Sequence, residues 1–291
     1  MLWSEAWRWQ QRLRGERFVK VVCVTPAGRQ KYMSILAPYV LSDERVDEWQ
    51  IWLNTVDRGD LAWLAQLRQH PKVRLIEPPS ERPNGGRSIG QFWRYCADEN
   101  TIYVRLDDDI VWLEKDFFAN LVAARERNRD AFLVSAMVIN NALCSFLLQF
   151  TGKLAFTEYL SARCMDPISW RSADFAHSLH LWAAKSIEAG ALPWRFGDYP
   201  VAMARISINA ICYFGKDVAP YADRIGPEEE EFVSCVVPTL LHKSNIITSD
   251  AWCAHFACYP QRPQLDKSSV LDVYARLMRA RFAGRTEPAS P

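Results

Sequence analysis

None of the eight cysteines forms a Cys-x-x-Cys pair, which excludes zinc-ribbon and thioredoxin-like sites. Most lie in apolar strings such as Val21-Val22-Cys23-Val24, the setting of a buried thiol. No apolar run reaches the roughly 18 residues that a membrane-spanning helix needs. The opening residues, Met1-Leu2-Trp3-Ser4-Glu5-Ala6-Trp7-Arg8, lack the basic start and apolar stretch of a secretory signal. A reducing, cytoplasmic setting is therefore expected. Neither charge is in excess: 35 Lys and Arg against 34 Asp and Glu leave a net charge of +1. No broad basic field argues for nucleic acid. Internal repeats and low-complexity tracts are also missing. What remains is a globular composition, 291 residues with 12 Trp and 49% hydrophobic, enough for a sizeable core.

One stretch stands out. The apolar run Thr101-Ile102-Tyr103-Val104-Arg105-Leu106 leads into Asp107-Asp108-Asp109, and a second apolar run, Ile110-Val111-Trp112-Leu113, follows. Adjacent carboxylates repel, and burying one without a partner is costly. A divalent cation removes both penalties. If strand geometry continues through the triplet, Asp107 and Asp109 face one way and Asp108 the other. Hard cations such as Mn²⁺ or Mg²⁺ take carboxylates together with phosphate oxygens and water. The triplet therefore reads as a metal–diphosphate site at the carboxyl end of a strand, where open α/β sheets bind ligands.

The surrounding pattern alternates strands and helices. Residues 18–24 read as a buried strand, broken by Thr25-Pro26-Ala27-Gly28-Arg29, a loop in which Thr25 and Arg29 are candidate ligand contacts. A helix is expected over 30–41 and a strand over 49–53, ended by Asn54, a further candidate. Asp60 is expected to cap a helix through 69, and 73–76 to form a third strand. A Pro/Gly loop over 77–87 ends at Arg87, placed to meet an anion, and Ser88 is expected to cap the next helix. A helix over 116–129 ends in a basic cluster that suits its dipole. Strands are expected over 132–139, 206–215 and 245–248, helices over 232–241 and from 268, an amphipathic helix over 3–17, and disorder from 284. Residues 140–205 are the least regular and read as a substrate-binding insertion. His177 and His180 share a helical face, but no further ligand nearby completes a zinc site.

With its Tyr103-Val104-Arg105-Leu106-Asp107-Asp108-Asp109 run ending a strand and acids and a His following in order, the chain resembles the nucleotide-sugar glycosyltransferases of the GT-A fold. The resemblance spans about residues 19–262 and is weakest across 140–205. It implies an α/β fold: a Rossmann-type, mostly parallel sheet flanked by helices, with an irregular acceptor-side insertion. One catalytic domain is implied, with a nucleotide-sugar half at 18–139, an acceptor half at 140–262 and a C-terminal helix at 268–283. It implies a hexosyl or pentosyl transfer from a nucleoside-diphosphate sugar to an acceptor hydroxyl, with Mn²⁺ or Mg²⁺. Asp107 and Asp109 match the ends of the family's Asp-x-Asp motif, with Asp108 beside the nucleotide. Glu229 or Glu230 matches the base, His255 the metal-binding His, and Gln261 and Arg262 the phosphate contacts. Base-activated in-line attack implies inversion. Other classes stay open: a nucleotidyltransferase, a non-catalytic nucleotide-sugar-binding protein, or a nucleic-acid acceptor met by Arg171, Arg195, Arg276, Arg279, Arg281 and Arg285.

Overall fold

The computed structural model describes residues 19–78, 85–202 and 204–283. The segments predicted at 3–17 and from 284, and part of the 77–87 loop, lie outside the described residues.

The β-branched run after Val19 forms β1 (Lys20–Ala27), buried from Val21 onward. Helix α1 (Gln30–Ser42) buries Tyr32, Ile35, Leu36 and Tyr39 at helical spacing. Strand β2 (Glu48–Leu53), helix α2 (Arg58–Leu67), β3 (Val73–Ile76) and β4 (Thr101–Leu106) follow. The cap of α2 is Asp57, whose side chain accepts from Asp60 N, so Asp60 lies inside the first turn instead of capping it. Ser88 likewise sits within a helical turn, Gly86–Ile89, which continues as the 3₁₀ turn Gly90–Cys96. β1 pairs in parallel with β2 and β4, and β2 with β3.

Beyond the triplet come β5 (Ile110–Leu113), α3 (Phe117–Arg127), β6 (Val134–Ile139), α4 (Ala142–Phe150), α5 (Ala173–Glu188), β7 (Asp198–Pro200), β8 (Ala210–Phe214), β9 (Ile246–His255) and α6 (Val270–Phe282). One nine-stranded sheet takes in both halves of the chain, in the order β3-β2-β1-β4-β8-β6-β9-β5, with β7 also on β9. β8 runs against β4 and β6, while β6 and β9 are parallel, and β5 and β7 run against β9. Six strands therefore point one way and three the other. This is the mostly parallel α/β sheet flanked by helices that the sequence implied. No helix among the described residues is long and apolar enough to cross a membrane.

This topology gathers the carboxyl ends of the co-directional strands. Arg29 follows β1, Asn54 follows β2, the aspartates follow β4, Asn140 follows β6, and His255 closes β9. Residues more than a hundred positions apart thus meet at one edge of the sheet.

Candidate active site

β4 is buried along its whole length and stops at Leu106. Asp107-Asp108-Asp109 then make a turn, closed by Ile110 N donating to Asp107 O at 3.2 Å, so strand alternation does not continue through the triplet. The turn nevertheless separates the carboxylates. Asp107 is partly open, with 27% of its side chain exposed, whereas Asp108 and Asp109 are buried. Arg29 clasps Asp108, its Nε donating to both carboxylate oxygens at 3.0 Å and its Nη2 closing on Oδ1. Its Nη1 also lies 3.2 Å from Asp109 Oδ2. Arg262 Nη2 donates to that same oxygen at 2.6 Å.

His255 Nε2 faces Asp109 Oδ1 at 3.3 Å. Asp107, Asp109 and His255 each offer one ligand atom, all within 4.8 Å of one another, the one such cluster among the described residues. Asp109 Oδ1 is buried without a hydrogen-bond partner. Two carboxylates and an imidazole form a donor set that suits Mn²⁺ or Mg²⁺ and leaves positions for phosphate oxygens. The residues present therefore fit the cation that the resemblance implies.

The charges are mutually tuned. Burial, with Asp109 adding to it and Arg105 opposing it, pushes the Asp107 carboxyl up to about 6. Burial also acts to raise Asp109, but His255, Arg29 and Arg262 outweigh it and hold that carboxyl well below the usual range. Burial disfavours a charge on His255, yet Asp109 overrides it and raises the imidazole well above its ordinary value.

Arg105 is the residue that sequence reasoning missed. It is fully buried in β4, and its Nη2 bridges Asp107 Oδ1 at 3.2 Å and Glu229 Oε1 at 2.7 Å. Trp93 Nε1 donates to the other Glu229 oxygen at 2.6 Å. A cation inside an otherwise apolar strand, next to three acids, was the available signal. Glu230 differs from its neighbour. It keeps 28% of its side chain exposed, pairs with Arg205 Nε at 2.8 Å, and accepts from the Cys164 thiol of the insertion at 3.4 Å.

Two expected contacts are placed elsewhere. Thr25 is fully buried within β1, where its hydroxyl accepts from Trp49 Nε1 at 3.0 Å. Gln261 is fully buried too, with both ends of its amide engaged inside the protein, so neither residue faces a phosphate. Asn54 borders the site and ties Gly85 O to the Ser88 hydroxyl. Arg87 is exposed in the turn that follows. His180 is buried, bonded to Phe256 O and the Tyr274 hydroxyl, both at 2.9 Å, and is no metal ligand. Of the arginines considered for nucleic acid, Arg195 pairs with Glu114, Arg276 with Glu188, and Arg281 with Leu113 O. Arg285 lies outside the described residues. All eight cysteines are unpaired.

No family model matches this sequence, and no curated protein does. Solved structures do match in shape. Glucosyl-3-phosphoglycerate synthase from Mycobacterium tuberculosis, in complex with Mn²⁺, UDP-glucose and phosphoglyceric acid, aligns over 83% of this chain and 71% of its own, at 15% identity and a TM-score of 0.44. S. aureus TarS (residues 1–349) with UDP-GlcNAc aligns over 92% and 68%, at 10% identity and 0.48. CMP:2-keto-3-deoxy-manno-octonic acid synthetase with CTP aligns over 89% and 99%, at 12% identity and 0.47. The sequence identities are low throughout.

Proposed function

We propose that this protein is a metal-dependent glycosyltransferase that moves a sugar from a nucleoside-diphosphate donor to an acceptor hydroxyl with inversion. The observation that carries the reading is the convergence of Asp107, Asp109 and His255, with Arg29 and Arg262 clasping the same carboxylate. A Mn²⁺ or Mg²⁺ ion held there would act as a Lewis acid on the leaving nucleoside diphosphate. Arg29 and Arg262 are the chain's own cations at that point. Each has a guanidinium able to turn from Asp109 to a phosphate oxygen. Asn54 and Arg87 border the nucleotide side. Glu230 has the open carboxylate of the acid pair and adjoins the insertion, so it is assigned the acceptor proton. Glu229, with both oxygens held by N–H donors, fixes Arg105 against Asp107.

The test is thermal stabilisation of the full chain by a panel of nucleotide-sugars, nucleoside diphosphates and nucleoside triphosphates, each with Mn²⁺, Mg²⁺ or EDTA. A ligand that binds only the folded state raises the melting temperature. A rise with one nucleotide-sugar that EDTA removes, and that Asp107→Asn abolishes, is the expected result. No shift with any diphosphate ligand overturns the reading.

A second reading, nucleotidyl transfer, draws on Arg29. This residue ends the loop after β1 and meets the triplet, as a phosphate-binding cation early in such a sheet would. Stabilisation by a triphosphate in preference to every nucleotide-sugar would favour it.

A further inference from the structure

Behind the metal cluster lies a group of residues that the proposed reaction does not use. Asn140 follows β6 with φ of 63°, the left-handed conformation that costs a residue with a Cβ. It is fully buried. The turn brings its carbonyl oxygen to 3.2 Å from His255 Nδ1. With a cation in place of the Nε2 proton, the Nδ1 proton would donate to that oxygen and the Nε2 lone pair would face the ion. The side chain of the same residue works on the surrounding loop. Its Nδ2 donates to Phe256 O, directly after His255, and to Gln261 Oε1, directly before Arg262, both at 3.0 Å. Gln261 also accepts from Cys258 N and donates to Ser169 O of the insertion, both at 3.0 Å. One asparagine thus orients the imidazole through its main chain and, through its amide, fixes the loop that bears both His255 and Arg262.

We infer that the Asn140 side-chain amide is the positioning group of the cation site, acting on His255 through the Phe256 and Gln261 contacts that hold its loop. The inference rests on the metal reading of Asp107, Asp109 and His255, and it assigns a role to two residues, Asn140 and Gln261, that touch neither metal nor substrate. A partner that orients a ligating imidazole typically changes metal affinity by about 10- to 100-fold. A residue that merely supports the fold has no reason to exert its effect through one imidazole.

The experiment is Mn²⁺ binding to the full chain, followed by the paramagnetic resonance signal of the free ion, across a double-mutant cycle. Asn140→Gly keeps the left-handed backbone and the carbonyl oxygen and removes only the amide. The expected result is a loss of about 10-fold in Mn²⁺ affinity in the presence of His255 and no further loss in the His255→Ala background. Equal losses in both backgrounds, or no loss in either, overturn the inference and leave the metal reading intact. A parent chain without Mn²⁺ affinity overturns the metal reading and the inference with it. Gln261→Met removes the partner of the Asn140 amide without altering the turn. It is expected to repeat the pattern and decides the question if Asn140→Gly does not fold.

Discussion

Glu229 and Glu230 are chain neighbours with different chemistry around them. Glu229 accepts from Arg105 and from Trp93 at 2.7 and 2.6 Å, inside the protein. Glu229→Gln turns one of those acceptors into a donor that faces another donor, and leaves Arg105 with only Asp107 to balance it. Leaving a buried hydrogen-bonding group unpaired costs about 1–3 kcal/mol, and more where a charge is involved. This variant is expected to melt at a lower temperature and to bind the donor more weakly. Glu230→Gln loosens a partly exposed pair with Arg205 and the Cys164 thiol contact on the same oxygen. It is expected to keep its melting temperature and its Mn²⁺-dependent donor binding while losing at least 100-fold in transfer rate. Full transfer activity in Glu230→Gln would exclude it as base. At this scale the sequence displayed the acids but not their partners. Three consecutive aspartates between apolar runs are conspicuous, and Asp107, Asp109 and His255 do meet. Trp93 and Asn140 carry no motif, and Arg105 reads in the sequence only as part of the strand before the triplet. Their roles depend on how the turn bearing Trp93 and the segment bearing Glu229 pack against β4, and on one left-handed turn, and none of these is a local property of the chain.

Elements were legible where the pattern was local. The β-α-β-α-β order through residue 76 appears as expected, because β-branched runs and apolar faces at helical spacing leave few alternatives. β9 was expected only over 245–248, yet it runs from Ile246 to His255. The ladder shifts register just past the expected end: Thr248 pairs with Ala136 and Trp252 with Met137, and the strand resumes. The antiparallel placement of β8 could not be read either, since strand direction is fixed by where an irregular connection returns. One approach between elements is close enough to test. Gly90 starts the turn that carries Trp93, and a Cβ there would meet Ile225 O at 2.4 Å and Gly226 O at 2.3 Å. Both contacts are backbone, in the segment that leads to Glu229, so one of the two chains must move. Gly90→Ala is expected to destabilise the protein by about 1–3 kcal/mol and to weaken donor binding, as the Trp93–Glu229 contact opens. Unfolding in denaturant and donor titration measure the two effects. Unchanged values for both would show that the loop yields freely.

Across the whole molecule, two buried histidines make stability depend on pH in opposite directions. His180, on α5, bonds to the Tyr274 hydroxyl of α6 and to Phe256 O beyond β9, so it joins the insertion, the C-terminal helix and the sheet. Burial lowers its pKa to about 3. It stays neutral in the fold and takes up a proton when unfolded below its ordinary value of about 6.5. Its contribution is therefore complete above that value and declines as pH falls toward 3. His255 has a raised pKa, because Asp109 outweighs burial, so its contribution is complete in acid and is lost as pH rises. The pH profile of the parent protein mixes the two. Comparison with His180→Gln separates them. Between pH 7.5 and pH 5 the parent is expected to lose about 2 kcal/mol more than this variant, the difference that a 3.5-unit depression imposes at pH 5. Equilibrium unfolding in denaturant at the two pH values measures it. Parallel profiles would mean that His180 is protonated within the fold, and that its bond to Phe256 O, next to His255, is not that of a neutral imidazole.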